Sequence, residues 1–135
     1  MTLRISHLVC AALIACIPCL ARCAPRETPA APVPSHVLTR EQAGSLSLAE
    51  QGDVIEVRLL EPSSTGGTWR VLRQSGSAYA APLGPATLAR DQHGTQRVFR
   101  FRAQRIGMLE LVFVLQTPNK TPRPDAVVAF KFAIK

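Results

Sequence analysis

The sequence predicts an all-β fold built as two packed antiparallel sheets, and three observations carry that reading. Hydrophobic residues alternate with period two through most of residues 45–135, while helical periodicity is almost absent. Glycine and proline punctuate these runs at Gly52, residues 63–67, Gly94, Gly107 and residues 118–124. Roughly 100 residues remain after the N-terminal leader and tether, enough for a sandwich with one core. Six or seven short strands in that length point to an immunoglobulin-like antiparallel β-sandwich after an N-terminal signal segment.

The first 23 residues differ from the rest. Arg4 and His7 open a short polar start, and residues 8–21, "LVCAALIACIPCLA", are nearly all apolar. This is the layout of a secretory signal peptide. The apolar run is broken by Pro18 and Arg22, short of the roughly 20 apolar residues of a membrane span. All four cysteines, Cys10, Cys16, Cys19 and Cys23, lie here. A metal site on Cys16 and Cys19 lacks partner ligands in an apolar leader. "LIAC" ending at Cys16 reads as a lipobox, "LARC" ending at Cys23 has a more usual depth, and simple cleavage after Ala21 is a third route; all three stay open. Each places the mature protein outside the cytoplasm, in the periplasm, secreted, or tethered to the envelope through an acylated Cys16 or Cys23.

Residues 24–36 form a Pro/Ala-rich tether, with four prolines between positions 25 and 34. The folded domain is expected over residues 37–135. In it, "SLSLAE" sets Leu46 and Leu48 on one face. "DVIEVRLL" sets Ile55, Val57 and Leu59 inward, with Glu56 and Arg58 opposite. "TWRVL" pairs Trp69 with Val71, and the only tryptophan of the chain reads as core. Residues 73–94 read as a long connection with one short strand at "ATLAR". "RVFRFRA" turns Phe99, Phe101 and Ala103 inward. "LELVFVL" turns Leu109, Leu111, Phe113 and Leu115 one way, and "VVAFKFAIK" does the same with Val128, Phe130, Phe132 and Ile134. One buried face per strand is the antiparallel pattern.

From residue 24 onward, 14 Lys plus Arg stand against 9 Asp plus Glu, a net charge of +5. The basic residues are spread along strands rather than clustered, which argues against nucleic acid and leaves acidic partners or lipid headgroups. A catalytic set is missing. Ser63 or Ser64 can be drawn with His93 and Asp91, but no nucleophile elbow surrounds the serines, and the acids occur singly rather than in pairs. No HExxH, P-loop or GxGxxG occurs, and without cysteines in the domain neither metal nor cofactor is expected. The domain reads as a binder and not an enzyme.

Five segments occur in a telling order: "LSLAEQGD", a strand ending "VRLLE", "SSTGGTW", "DQHGTQRVFRFRA", and "RIG" before "LELVFVL". Together they resemble the chagasin family of cysteine-peptidase inhibitors in its exported bacterial form, over residues 45–135. That family carries an Asn-Pro-Thr-Thr-Gly loop followed by an aromatic, a variable residue and Trp. Gly66, Gly67, Thr68 and Trp69 match its end, with Ser64 and Thr65 at the two threonines, Ser63 at the proline and Pro62 at the asparagine. Asp91, Gln92, His93 and Gly94 occupy the place of a second, glycine-rich loop. Thr117, Pro118 and Asn119 stand where the family has Arg-Pro-Trp, and Gly67 stands where it has the aromatic.

The resemblance implies a monomeric, reversible, non-covalent inhibitor of papain-like cysteine peptidases. Its contact residues would be Ser63, Ser64, Thr65, Gly66, Gly67, Asp91, Gln92, His93, Gly94, Thr117, Pro118 and Asn119, entering the peptidase cleft from one end of the sandwich. The alternative is an envelope-located immunoglobulin-like binding or structural module that has lost inhibitory activity.

Overall fold

The computed structural model describes residues 30–64, 66–118, 121 and 126–135. Cys16, Cys23, Thr65, Asn119, Arg123 and Pro124 lie outside the described residues, as do residues 1–29 with the leader.

Nine strands form two sheets. In chain order they are β1 His36–Leu38, β2 Leu46–Ala49, β3 Val54–Leu60, β4 Thr68–Ser75, β5 Ala80–Pro82, β6 Thr87–Asp91, β7 Gly94–Ala103, β8 Gly107–Gln116 and β9 Val127–Ile134, with a 3-10 helix at Arg40–Gln42. One sheet runs β1-β3-β7, with β5 and β6 sharing the far edge of β7; the other runs β2-β9-β8-β4. The chain crosses between sheets at each of its first three connections. Two edge pairings, β1 with β3 and β2 with β9, are parallel, and the others are antiparallel.

The alternation in the long strands builds the core. Ile55, Val57 and Leu59 of β3 join Leu109, Leu111 and Phe113 of β8 and Val128, Phe130, Phe132 and Ile134 of β9 in one cluster, all buried. Phe113 is the hub, with ring centroids 4.8 Å from Phe99, 5.9 Å from Phe130 and 6.5 Å from Phe101, in tilted or edge-on geometry. Among the described residues, every core member lies between positions 38 and 134, and residues 31–135 form one compact unit.

The strands depart from the sequence reading in several places. His36, expected in the tether, is the first residue of β1. Residues 73–94 hold the end of β4 and two strands, β5 and β6, where one was expected. Leu46 and Leu48 share a face as expected, but the face is the outer one, and both are exposed. Val71 lies opposite Phe113 at the sheet edge and is half-exposed, because the β4–β8 register shifts between Val71 and Arg73.

Glu56 also points outward, yet none of it is exposed. Arg58 Nε and Arg100 Nε each donate to its carboxylate at 2.6 Å and fold over it. A strand position facing away from the core is thus buried by its own neighbours, since long arginine stems cover surface while their charges pair. Burial pushes the Glu56 carboxyl up, but the Arg100 and Arg58 guanidiniums outweigh it and hold the group below its ordinary range. Asp53 is lowered too, by the Glu50 amide and then by the His36 ring 2.8 Å away.

Phe113→Ala is expected to remove about 3–5 kcal/mol of stability, measured by urea unfolding. The folded pKa values of Glu56 and Asp53 lie below the unfolded ones. Their contribution is therefore complete above the unfolded values and is lost as pH falls through the folded ones. Glu56→Gln should lower stability at neutral pH and flatten its decline below about pH 4.5; urea unfolding across pH checks this, and a curve parallel to wild type would contradict it.

Candidate functional site

Strand directions bring three connections to one end. β3 ends at Leu60, β8 ends at Gln116 opposite Thr68, and Asp91 pairs with Gly94 across the β6–β7 hairpin. Residues 61–67, residues 91–94 and the segment after Gln116 therefore neighbour one another. The 3-10 helix reaches this end as well, lining a groove with Leu60, Trp69 and Leu115.

The first connection carries the chain from one sheet to the other. Its two stems are joined by Trp69, whose indole N–H donates to the Leu60 carbonyl at 2.9 Å while the ring is 2% exposed. Trp69 is core, as expected. Glu61 turns toward β7: Arg97 Nε donates to its carboxylate at 2.5 Å, and its amide donates to the Thr95 carbonyl at 2.8 Å. Ser63, Ser64 and Gly66 are exposed, and Gly66 has a φ of +61°, a left-handed conformation that glycine adopts without strain.

Gly67 behaves differently from its neighbours. It is buried, and a Cβ there would stand 2.9 Å from Leu115 Cδ1 and 3.1 Å from Thr117 Cγ2. The glycine also lines the groove between the first two connections. Its bare backbone lets the first connection lie against the third, and a larger residue here would have to displace the Leu115 side chain.

The second connection is a tight hairpin. The Asp91 carboxylate accepts the His93 amide at 2.8 Å, an Asx-type turn, and the Gln96 side-chain amide at 2.9 Å. Gln92 and His93 are exposed at its tip and contact each other at 3.3 Å. Gly94 has a φ of +126°, and a Cβ on it would come within 3.2 Å of Leu60. In the third connection Thr117 is half-buried and Pro118 exposed.

Between the first two connections lies a groove of about 640 Å³ whose lining includes Ser63, Gly66, Asp91, His93 and Thr95. A second groove of about 630 Å³ lies beside it, lined by Arg40, Trp69 and Leu115, and the two share Leu60, Pro62 and His93 as a ridge. This end therefore presents small polar groups and exposed backbone on a rigid base. Sequence reasoning missed the Glu61–Arg97 pair. The signal was in the strand parity: Glu61 continues the inward series of Leu59, and Arg97 that of Phe99, so two opposite charges fall on the inner face at adjoining strand ends.

No protein-family model matches the sequence, and no curated protein matches it. Solved structures match the fold. The cysteine protease inhibitor EhICP2 from Entamoeba histolytica superposes with a TM-score of 0.62 at 16% identity, over 74% of this chain and 94% of the inhibitor. Amebosin superposes with a TM-score of 0.60 at 18% identity, over 76% of this chain and 100% of its own. The chain has the chagasin-like β-sandwich fold that the resemblance implies.

Gly67→Tyr, which restores the aromatic of the resemblance, is expected to destabilise the domain by about 1–3 kcal/mol through overpacking. Adding Leu115→Ala to the same chain should recover part of the loss in thermal unfolding. A Gly67→Tyr variant as stable as wild type would mean that the connection moves freely away from Leu115.

Proposed function

We propose that the protein is an exported, reversible, non-covalent inhibitor of papain-like cysteine peptidases. The single observation that carries this is the gathering of three connections, residues 61–67, residues 91–94 and the segment from Thr117, at one end of a fold shared with an Entamoeba histolytica cysteine protease inhibitor. A narrow peptidase cleft admits a wedge of small residues, because backbone reaches the cleft walls where side chains would clash. Ser63, Ser64 and Gly66, with Thr65 among them, have that character. The base of the wedge is braced by the Glu61 and Trp69 hydrogen bonds, so little ordering entropy is lost on docking. Gln92, His93 and Pro118 flank the wedge. Blocking of this kind needs no bond to the catalytic cysteine and is undone by dissociation.

A second reading has its own observation. Trp and Arg are the residue types most often found as interface anchors, and the third connection offers Thr117, Pro118 and Asn119 in place of Arg-Pro-Trp. An envelope binding module that kept the sandwich and lost inhibition would look like this.

Titration of the leaderless protein against papain separates the two readings. The inhibitor reading expects reversible inhibition at micromolar protein or below, and no inhibition there favours the module. With inhibition in hand, Ser64→Arg should raise the inhibition constant by at least about thirtyfold while leaving the thermal midpoint unchanged, since Ser64 is exposed. A matching loss of stability would assign Ser64 a folding role instead.

A further inference from the structure

The opposite end of the sandwich has a character of its own. The turns at residues 50–53 and 104–106, the end of β9 and the start of β1 all meet there. They are closed by Gly52 N–H to Ala103 O at 2.8 Å, Gln51 N–H to Lys135 O at 3.0 Å and the Gln51 side chain to Gln104 O at 2.7 Å. On this sealed end three large apolar side chains stand in solvent: Ile106 is 68% exposed, Met108 58% and Leu48 54%. They form one patch. Met108 and Leu48 lie on either side of Ala133 in one row across β8, β9 and β2, on the outer face, and Ile106 stands two residues before Met108 in the turn that leads into β8. Leu46 lies one row behind.

Basic groups stand beside the patch. Arg105, Lys131 and Lys135 are exposed, and no ion pair holds any of them among the described residues. The acids nearby are Glu50, Asp53 and Glu110, of which Asp53 is engaged by His36 and Glu110 by Arg73. An apolar patch with three exposed cations beside it and one unengaged acid, Glu50, suits a surface that offers both anionic groups and hydrocarbon.

The course of the chain agrees. Residues 31–35 enter β1 at this end, where the Ser35 amide donates to the Val54 carbonyl at 2.8 Å. Only 11 residues lie between Cys23 and Ser35, a reach of roughly 40 Å at full extension. The segment that leads back to the leader region is therefore joined to the domain at this end.

We propose that the end bearing Leu48, Ile106 and Met108, with Arg105, Lys131 and Lys135, docks on an anionic phospholipid bilayer and points the three connections away from it. The docking is peripheral. The side chains enter the headgroup layer while the sealed backbone keeps its hydrogen bonds. It requires neither the leader nor an acyl chain, and it is independent of what the connections bind.

The test is sedimentation of the leaderless protein with vesicles of phosphatidylglycerol and phosphatidylcholine against vesicles of phosphatidylcholine alone. Binding is expected to the anionic vesicles and to weaken with added salt. Arg105→Glu with Lys135→Glu should weaken it by roughly tenfold to a hundredfold, and Ile106→Asp with Met108→Asp should weaken it comparably. Ser64→Arg, at the other end, should leave it unchanged. All four far-end positions are exposed, so unchanged thermal midpoints are expected and separate lost docking from lost folding. Failure to bind anionic vesicles overturns the proposal, as does binding that the far-end variants leave intact. A concentration-dependent dimer in sedimentation velocity, broken by Ile106→Asp, would overturn it in favour of a second copy on this face. Papain titration of the same variants reports separately on the connections, so either proposal can fail alone.

Discussion

The indole N–H of Trp69 donates to the carbonyl of Leu60 across the mouth of a connection that must pass from one sheet to the other. Packed sheets stand about 10 Å apart, and the residues at positions 61–67 have to cross that gap and still expose a tip. The indole bond fixes where the crossing starts and, because Trp69 is the second residue of β4, where it ends. With both stems pinned, Glu61 has a fixed direction and finds Arg97. Gly67 is then forced against Leu115 and Thr117, where only glycine fits without displacing them. The neighbouring hairpin closes on the same stem, since Gly94 lies against Leu60. These contacts around one tryptophan set the relative positions of the three connections, and the Phe113 cluster below gives that tryptophan a rigid floor.

Much of the sandwich was legible because most of its strands obey one rule. Through most of β3, β7, β8 and β9 every second residue is apolar and buried, so period two identified the inward face at Ile55, Phe99, Leu109 and Phe130. The rule failed where a strand lacks a conventional buried face. β2 is a short edge strand whose leucines look outward, and only Ala49 reaches the core. β5 and β6 are brief and carry small or exposed residues, so residues 73–94 offered little pattern to read. Val71 precedes a register shift that no local sequence signal announced. Glu56 was read correctly as outward, but its burial was out of reach, because it comes from two arginines, one of them 44 positions away.

The end with the three connections was legible as turn residues in a certain order, and their convergence follows from strand direction alone. Less visible was which residues make the surface and which hold it. Gly66 and Gly67 look equivalent in sequence, yet one is exposed in a left-handed conformation and the other is buried under Leu115. The distinction needs the third connection to be in place, and that is long-range information. A larger residue at position 67 would have to move the Leu115 side chain. Polarity follows from the fold as well. Small polar residues make the tips of the connections at one end, while Leu48, Ile106 and Met108 stand exposed toward the other, where the chain enters.

The central claim is that the braced end with its three connections is the surface that meets a peptidase. Amide chemical-shift mapping of the leaderless protein with papain blocked at its catalytic cysteine tests it most directly. The account predicts perturbations concentrated in residues 61–67, 91–95 and 116–118, with the amides of Gln51, Gly52 and Gln104 at the far end unmoved. Perturbations centred on the far end, or none at concentrations where papain is saturated by an established inhibitor, would contradict it.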